Sequence, residues 1–305
     1  MKRALVTGIR GFVGGYLNEE LSENGYEVLG ISSSPDGKNL CANLLDYTQT
    51  FAAVEAANPD VIFHLAGQAN VYRSWKDPQG TIQLNVIAAV NLLEAVRELK
   101  TEPRIVLVGS SDQYGHLGKA GERVTEKNIC RPTSPYAVSK LAQEEMAGVY
   151  ANCYGMRICM TRSFNHGGAG QKEGFLIPDF AAGIVRIEKG ISSMLKVGNL
   201  SSRRDFTHVR DVVRAYRLLA EQGQAGEIYN VGSGVTHSAQ EILDLLCSMA
   251  VCPIPVELDP GKLRPSDTPV ICCDHSKLTA DTGWQPEIPL ETILADTLSF
   301  YRKRI

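Results

Sequence analysis

The 305-residue sequence predicts an α/β fold, a doubly wound parallel sheet followed by a smaller lobe threaded through the C-terminal half. Three observations carry this expectation. Short apolar runs alternate with helical patterns through the first half, which implies a parallel sheet covered on both faces. A glycine-rich turn joins the first apolar run to the first helical pattern. After about Arg162 the alternation gives way to glycines (Gly167, Gly168, Gly170) and arginine-bearing loops.

In chain order, the apolar run 4–7 is the first strand and 13–23 the first helix. Strands follow at 27–31, 61–65 and 104–108, with a helix at 81–99 between the last two. The stretch 32–39, rich in Ser, Pro, Gly and Asp, reads as the turn after the second strand. Beyond the irregular region come a strand at 227–231, a helix at 238–249 and a terminal helix at 290–301. The division this suggests is a first unit of 1–163 plus about 206–236, and a second of about 164–205 plus 237–305. No internal repeat or low-complexity tract is present.

A 44% hydrophobic content at this length is enough for a sizeable core. The 31 basic and 34 acidic side chains are intermixed, for a net charge of −3, so no broad field for nucleic acid or a membrane surface is expected. An anionic ligand must be held by a few placed groups. The start runs straight into the glycine turn without the apolar core of a signal peptide, and no apolar run approaches the roughly 20 residues of a membrane span. A cytoplasmic location is the expectation. Eight cysteines lie scattered without a CxxC pair or a histidine array, which favours buried reduced thiols over a metal site or disulfides.

The segment "VTGIRGFVGGYL" places Gly8, Gly11 and Gly14 as GxxGxxG between a strand and a helix. The first glycine permits the tight turn, the second lets backbone approach a pyrophosphate, and the third lets helix pack close to strand. A lone glycine pattern is weak evidence, but here the strand, turn and helix surround it, so a dinucleotide is the predicted ligand. At the end of the second strand an NAD site usually carries an acid for the ribose 2′-hydroxyl. This chain has Ser32 and Ser33 there, which could donate to a 2′-phosphate, and Arg10 could supply charge. NADP(H) is favoured over NAD(H).

"SPYAVSK" sets Tyr136 and Lys140 four apart, on one face of a helix. Such pairs also decorate ordinary surface helices, so the rest of the chain must decide. It does: "TGIRGFVG", "HLAGQ", "GSSDQYG" and "YAVSK", in that order, resemble the extended short-chain dehydrogenase/reductase family. Within it the chain looks most like the GDP-4-keto-6-deoxy-mannose reductases, with the GDP-mannose 4,6-dehydratases as near relatives. The more specific segments are "RSFNHGGAGQ", "VGNLSSRRDFTHVRD" and "KLRPSD". Ala169 stands where such reductases commonly have proline, and Gly167 where an apolar residue is common.

The resemblance implies a Rossmann fold and a set of roles. Tyr136 would donate a proton to the substrate oxygen as hydride moves. Lys140 would bind the nicotinamide ribose and lower the tyrosine pKa, and Ser110 would hydrogen-bond the same oxygen. Gly8, Arg10, Gly11, Phe12, Val13, Gly14, Ser32, Ser33, Asn43, Leu44, Leu65, Ala66 and Gly67 would line the cofactor. Ser111, Asp112, Asn165, Lys196, Arg204 and Arg264 would meet the substrate, the arginines gripping its diphosphate. Arg203 is expected to be a solvated neighbour of Arg204, and His166 and His208 hydrogen-bonded loop residues, with no metal site. A homodimer through the helices 81–99 and 136–154 is the family expectation, with Val86, Val90, Leu93 and Val96 covering either the sheet or a partner.

The sequence Ser110-Ser111-Asp112 bears on the reaction. A 4,6-dehydratase needs a carboxylate base, usually glutamate, at the third position, and Asp112 is one methylene shorter. A reach short by about 1 Å costs roughly 100-fold in such positioning. The expected reaction is therefore NADPH-dependent reduction of a GDP-linked 4-keto-6-deoxy sugar, GDP-4-keto-6-deoxy-D-mannose to GDP-D-rhamnose. A dehydratase or dual-function enzyme is the alternative and an epimerase the next. A non-catalytic dinucleotide-binding sensor is the residual reading, since fold alone does not establish chemistry.

Overall fold

The computed structural model describes residues 1–116, 122–262 and 270–305. Its centre is a seven-stranded parallel sheet made by β1 (Lys2–Thr7), β2 (Tyr26–Ser32), β3 (Leu40–Cys41), β4 (Val61–His64), β5 (Arg104–Val108), β6 (Ile158–Ser163) and β10 (Ile228–Val231). The strand order is β10-β6-β5-β4-β1-β2-β3. Chain order reverses between β1 and β4, and in such sheets ligands bind in the crevice beyond the strand C-termini at that reversal.

Both faces of the sheet are covered. On one lie α1 (Phe12–Glu23) and α8 (Val209–Gln222), whose Leu17, Leu21, Val212, Val213 and Tyr216 pack on Ala4, Val6, Phe63 and Val106. On the other lie α2 (Tyr47–Ala57), α5 (Ala88–Leu99) and α6 (Pro135–Tyr154), which bury Val54, Leu92, Leu93 and Val96 against Leu5, Ile62, Ile105 and Leu107. Alternate residues of β1 and β4 thus enter opposite cores, which requires strands apolar on both sides. Two short helices, α3 (Val71–Lys76) and α4 (Pro78–Ile82), precede a π-helical turn at Gln83–Ile87 that runs directly into α5. The single helix expected at 81–99 is therefore kinked in register where Asn85 turns inward, a π-bulge of the kind found at functional sites.

The remaining chain builds two small sheets on the same end of the large one. β7 (Asn165–Gly167), β9 (Arg203–His208), β11 (Thr236–Ser238) and β13 (Val270–Ile271) form one, with β9 pairing the other three. β8 (Leu195–Val197) and β12 (Val256–Leu258) form the other. A third core fills between α7 (Leu176–Glu188), α9 (Ala239–Ser248) and α11 (Leu290–Arg304), from Ile177, Phe180, Ile242, Leu246, Ile293 and Leu298. Helix α10 (Ser276–Thr282) packs on α8 and β10.

Several helices escaped the sequence reading. α8 is strongly amphipathic, but the glycine- and arginine-rich segments around it obscured its period. Of the eight free cysteines, Cys159 and Cys273 are buried as expected, whereas Cys41 and Cys153 face solvent and the other four are half-buried. Among the described residues no helix is long and apolar enough to cross a membrane.

Candidate active site

The glycine turn sits at the reversal between β1 and β4. Gly8 adopts φ +73°, and a Cβ on it would lie 2.9 Å from the Ala66 nitrogen. A Cβ on Gly14 would fall 2.4 Å from the Gly8 carbonyl oxygen, so α1 can approach the turn this closely only as glycine. Behind the turn, the Thr7 hydroxyl meets His64 Nδ1 at 2.9 Å and accepts from the Ala66 amide at 3.1 Å. Burial pushes the His64 imidazole down to about 3, with the nearby Lys140 charge adding to the effect, so the ring is neutral. The expected Gly8, Gly11, Phe12, Val13, Gly14, Leu65, Ala66 and Gly67 are thereby gathered along one crevice.

Beyond β2 the polar rim is arranged differently from the sequence expectation. Arg10 donates through Nη1 to the Ser34 hydroxyl at 2.8 Å, not to Ser32 or Ser33. Ser32 is buried and its hydroxyl donates to the Ser34 carbonyl at 2.9 Å, which fixes the turn, while Ser33 is exposed. The one nearby acid, Asp36, accepts from the Lys38 and Asn39 amides and from the Asn39 side chain. Those bonds hold its carboxyl down to about 2. Asn43 and Leu44 follow β3, where Asn43 accepts from the Leu45 amide and the Leu44 carbonyl from Asn91.

Helix α6 starts at Ser134, which accepts from the Ala137 amide, with Pro135 at its first position, so the helix begins directly before Tyr136. Tyr136 and Lys140 are 8% and 6% exposed, which removes the surface-helix reading. Lys140 Nζ donates to the Val108 carbonyl at 2.7 Å and to Gln143 Oε1 at 2.9 Å. Burial lowers this ammonium to about 8. The Tyr136 phenol shifts upward, first by burial and then by the charge of Asp112, while the Ser110 hydroxyl opposes the shift by hydrogen bonding. The lowering of Tyr136 expected from Lys140 is not what this arrangement produces: desolvation, followed by the Asp112 charge, moves the phenol upward.

Ser110, at the end of β5, caps a 3₁₀ turn at Ser111–Tyr114 and accepts from the Asp112 amide at 3.2 Å. Ser110 thus hydrogen-bonds the phenol and the Asp112 charge acts on it, whereas Ser111 is only 2% exposed. Asn85 was not anticipated. It lies wholly buried in the π-helical turn, accepts from the Gln68 amide at 2.7 Å, and donates to the Gln68 carbonyl at 3.1 Å and Ser139 Oγ at 2.8 Å. It ties the β4 end to the Tyr-Lys helix, and no spacing rule signals a lone asparagine in an apolar helix.

Across the crevice, Asn165 is exposed at the start of β7, paired in register with Phe206. Arg204 lies in β9, half-buried, and donates to the Arg203 carbonyl at 2.9 Å. Arg203 is not merely solvated: it pairs with Glu241 at 2.8 Å and donates to the Thr236 carbonyl. Lys196 is exposed on β8, and its carbonyl accepts from Lys262 Nζ. Arg264 lies outside the described residues. His166 donates through Nδ1 to the Phe164 carbonyl and stacks parallel to Phe12 at 6.4 Å between centroids. His208 caps α8 by accepting from the Arg210 amide and meets Asp296 at 3.3 Å, so both histidines sit on strands and are bonded. At the two departures from the reductase pattern, a Cβ on Gly167 would lie 2.9 Å from Ile293, and the Ala169 carbonyl accepts from Tyr16 at 2.8 Å.

Comparison with known proteins agrees with this geometry. The GDP-mannose 4,6 dehydratase family model matches residues 5–297. A GDP-6-deoxy-D-mannose reductase of Pseudomonas aeruginosa is 34% identical over all of this chain and 98% of its own length. A GDP-mannose 4,6-dehydratase of Yersinia enterocolitica is 29% identical over 98% and 93%. Among solved structures, RMD from Pseudomonas aeruginosa complexed with NADPH superposes with a TM-score of 0.91 at 33% identity, covering all of both chains. Thermus thermophilus UDP-glucose 4-epimerase with NAD gives 0.89 at 29% identity, covering 99% and 100%. The glycine cradle, the buried Tyr-Lys pair and this full-length similarity make the chain a member of the GDP-mannose 4,6-dehydratase family of extended short-chain dehydrogenases/reductases, NAD(P)-dependent enzymes acting on nucleotide sugars.

Proposed function

We propose that the protein is a 4-keto reductase that converts GDP-4-keto-6-deoxy-D-mannose to GDP-D-rhamnose with NADPH. The observation that carries this is the set facing Tyr136: a serine and a short aspartate, without the longer glutamate that dehydration calls for. When bound, NADPH supplies the hydride that reduces C4. Tyr136 gives its proton to the O4 that forms, an assignment its raised pKa suits, since the phenol stays protonated until the oxygen needs it. Ser110 orients that oxygen. Lys140, buried and bonded to the Val108 carbonyl and Gln143, would hold the ribose hydroxyls in place of those partners, and the proton that Tyr136 gives up would be returned from solvent. On this reading Arg204 and Asn165 would meet the diphosphate, and Lys196 would line the base pocket.

NADPH is preferred over NADH on this reading because Arg10 and Ser34 together rim the crevice where a 2′-phosphate would lie. The division into a cofactor unit (1–163 plus about 206–236) and a sugar-binding lobe (164–205 plus 237–305) belongs to the same proposal. It is supported by the return of β10 to the large sheet and by the separate core of α7, α9 and α11. The working form is a cytoplasmic homodimer. Leu93 and Val96 are buried against the sheet, but Leu84, Ile87, Val138, Val149 and Tyr154 remain exposed on the adjoining helices, an apolar surface for a second copy.

Dehydration is the second reading, because Asp112 lies close enough for its charge to act on the phenol. The test is NADPH oxidation on adding GDP-mannose with and without a separate GDP-mannose 4,6-dehydratase, followed by NMR of the sugar. Oxidation only with the dehydratase present, with GDP-rhamnose formed and with loss of about 10²-fold or more in Tyr136→Phe, is expected. Keto-sugar formation by this protein alone would overturn the reductase reading in favour of dehydration.

A further inference from the structure

Gln113, Glu144 and Arg162 take no part in the chemistry above, yet they form the most heavily bonded buried polar cluster beside it. All three are 5% exposed or less. Gln113 Oε1 accepts from the Ser110 amide at 2.9 Å, and its Nε2 donates to Glu144 Oε2 at 2.8 Å. Only one orientation of the amide satisfies both partners. Arg162 grips the same carboxylate in bidentate fashion, Nε to Oε2 at 2.9 Å and Nη2 to Oε1 at 2.7 Å. Its guanidinium also lies 4.8 Å from the Tyr114 ring, the residue after Gln113. Tyr114 in turn donates to Asn230 at 2.7 Å.

Glu144 is one helical turn beyond Lys140 and two beyond Tyr136, so the three share a face of α6. The Ser110–Tyr114 turn carries the groups that act on the phenol. Gln113 is therefore a strut between that turn and the helix bearing Tyr136, and Arg162 on β6 locks its far end.

We propose that Gln113, anchored by the Glu144–Arg162 ion pair, is a positioning residue that sets the Ser110 hydroxyl and Asp112 carboxylate against Tyr136. This rests on the assignment of Tyr136 as proton donor. A simple capping role would need only the Ser110 amide bond, which glutamate also supplies. The strut needs a donor on one side chain and a carboxylate on the other. Gln113→Glu keeps the cap but sets two carboxylates face to face, whereas Gln113→Glu with Glu144→Gln restores a donor facing an acceptor between the two side chains and leaves Arg162 one of its two bonds, since Glu144 Oε2 serves both Gln113 and Arg162.

The experiment compares the wild type, Gln113→Met, Gln113→Glu and the double swap, reading kcat and KM with the 4-keto sugar from a separate dehydratase, NADPH affinity by fluorescence, and thermal midpoint. A displacement of about 1 Å at the turn predicts a fall in kcat of roughly 10- to 100-fold in both single variants, with KM and NADPH affinity little changed, and a partial recovery of kcat in the double swap. A loss of thermal stability with wild-type kcat in the single variants would overturn the proposal and leave a structural cap. So would a double swap no better than Gln113→Glu. If the wild type does not turn over the keto-sugar, the functional reading fails separately. Crystal structures of wild type and Gln113→Met then decide the strut: a lengthened Ser110 Oγ to Tyr136 Oη separation supports it, and an unchanged one refutes it.

Discussion

At the residue scale, the site works by removing water from charges that would otherwise be ordinary. Lys140 has its ammonium lowered from 10.5 to about 8 by burial alone. The unfolded chain therefore binds one more proton than the folded one between about pH 8 and pH 10.5, and stability gains with rising pH across that window. Against a Lys140→Met variant, wild-type unfolding free energy should rise by a few kcal/mol across the window, measured by denaturant titration; parallel curves would show that the ammonium is not desolvated. Arg10 poses the corresponding test for the cofactor. Arg10→Ala should weaken NADPH binding about tenfold or more while leaving NADH little changed, since a charge-assisted phosphate bond is lost. Equal weakening of both would remove Arg10 from the 2′-phosphate.

At the scale of elements, function sits where local structure departs from regularity. The glycine turn lets α1 close on β1, the π-helical turn rotates Asn85 inward, and the 3₁₀ turn after β5 presents Ser110 and Asp112. Gly14→Ala tests the first of these, because the new methyl would lie 2.4 Å from a carbonyl that cannot yield without moving the turn. NADPH affinity by fluorescence titration should fall at least about tenfold. Retained affinity would mean the helix need not come so close. The glycine spacing and the Tyr-Lys pair were legible in the sequence because each is a local, short-period signal. Asn85 was not, since a π-bulge depends on what packs around it.

For the whole molecule, two cores flank the large sheet and a third fills between α7, α9 and α11. Lys140 lies on α6 against the large sheet and Arg204 on β9 of a small one. The exposed apolar residues of the helix pair predict assembly. Val149→Glu should convert a dimer to a monomer in sedimentation velocity, with the far-ultraviolet circular dichroism unchanged. A wild-type protein that sediments as a monomer would end the dimer reading.

The sequence alone determined the α/β class and the dinucleotide turn, because strand period and glycine spacing are written over a few residues, whereas the Ser110, Tyr136 and Lys140 set came from the family resemblance, since i,i+4 geometry only places the last two on one helix face. Tertiary structure decided what those residues experience. It buried Tyr136 and Lys140 and so moved their protonation, paired Arg10 with Ser34, bound Arg203 to Glu241, and placed Gln113 between Ser110 and Glu144. Desolvation and long-range hydrogen bonds depend on neighbours far apart in the chain, and no local pattern specifies them.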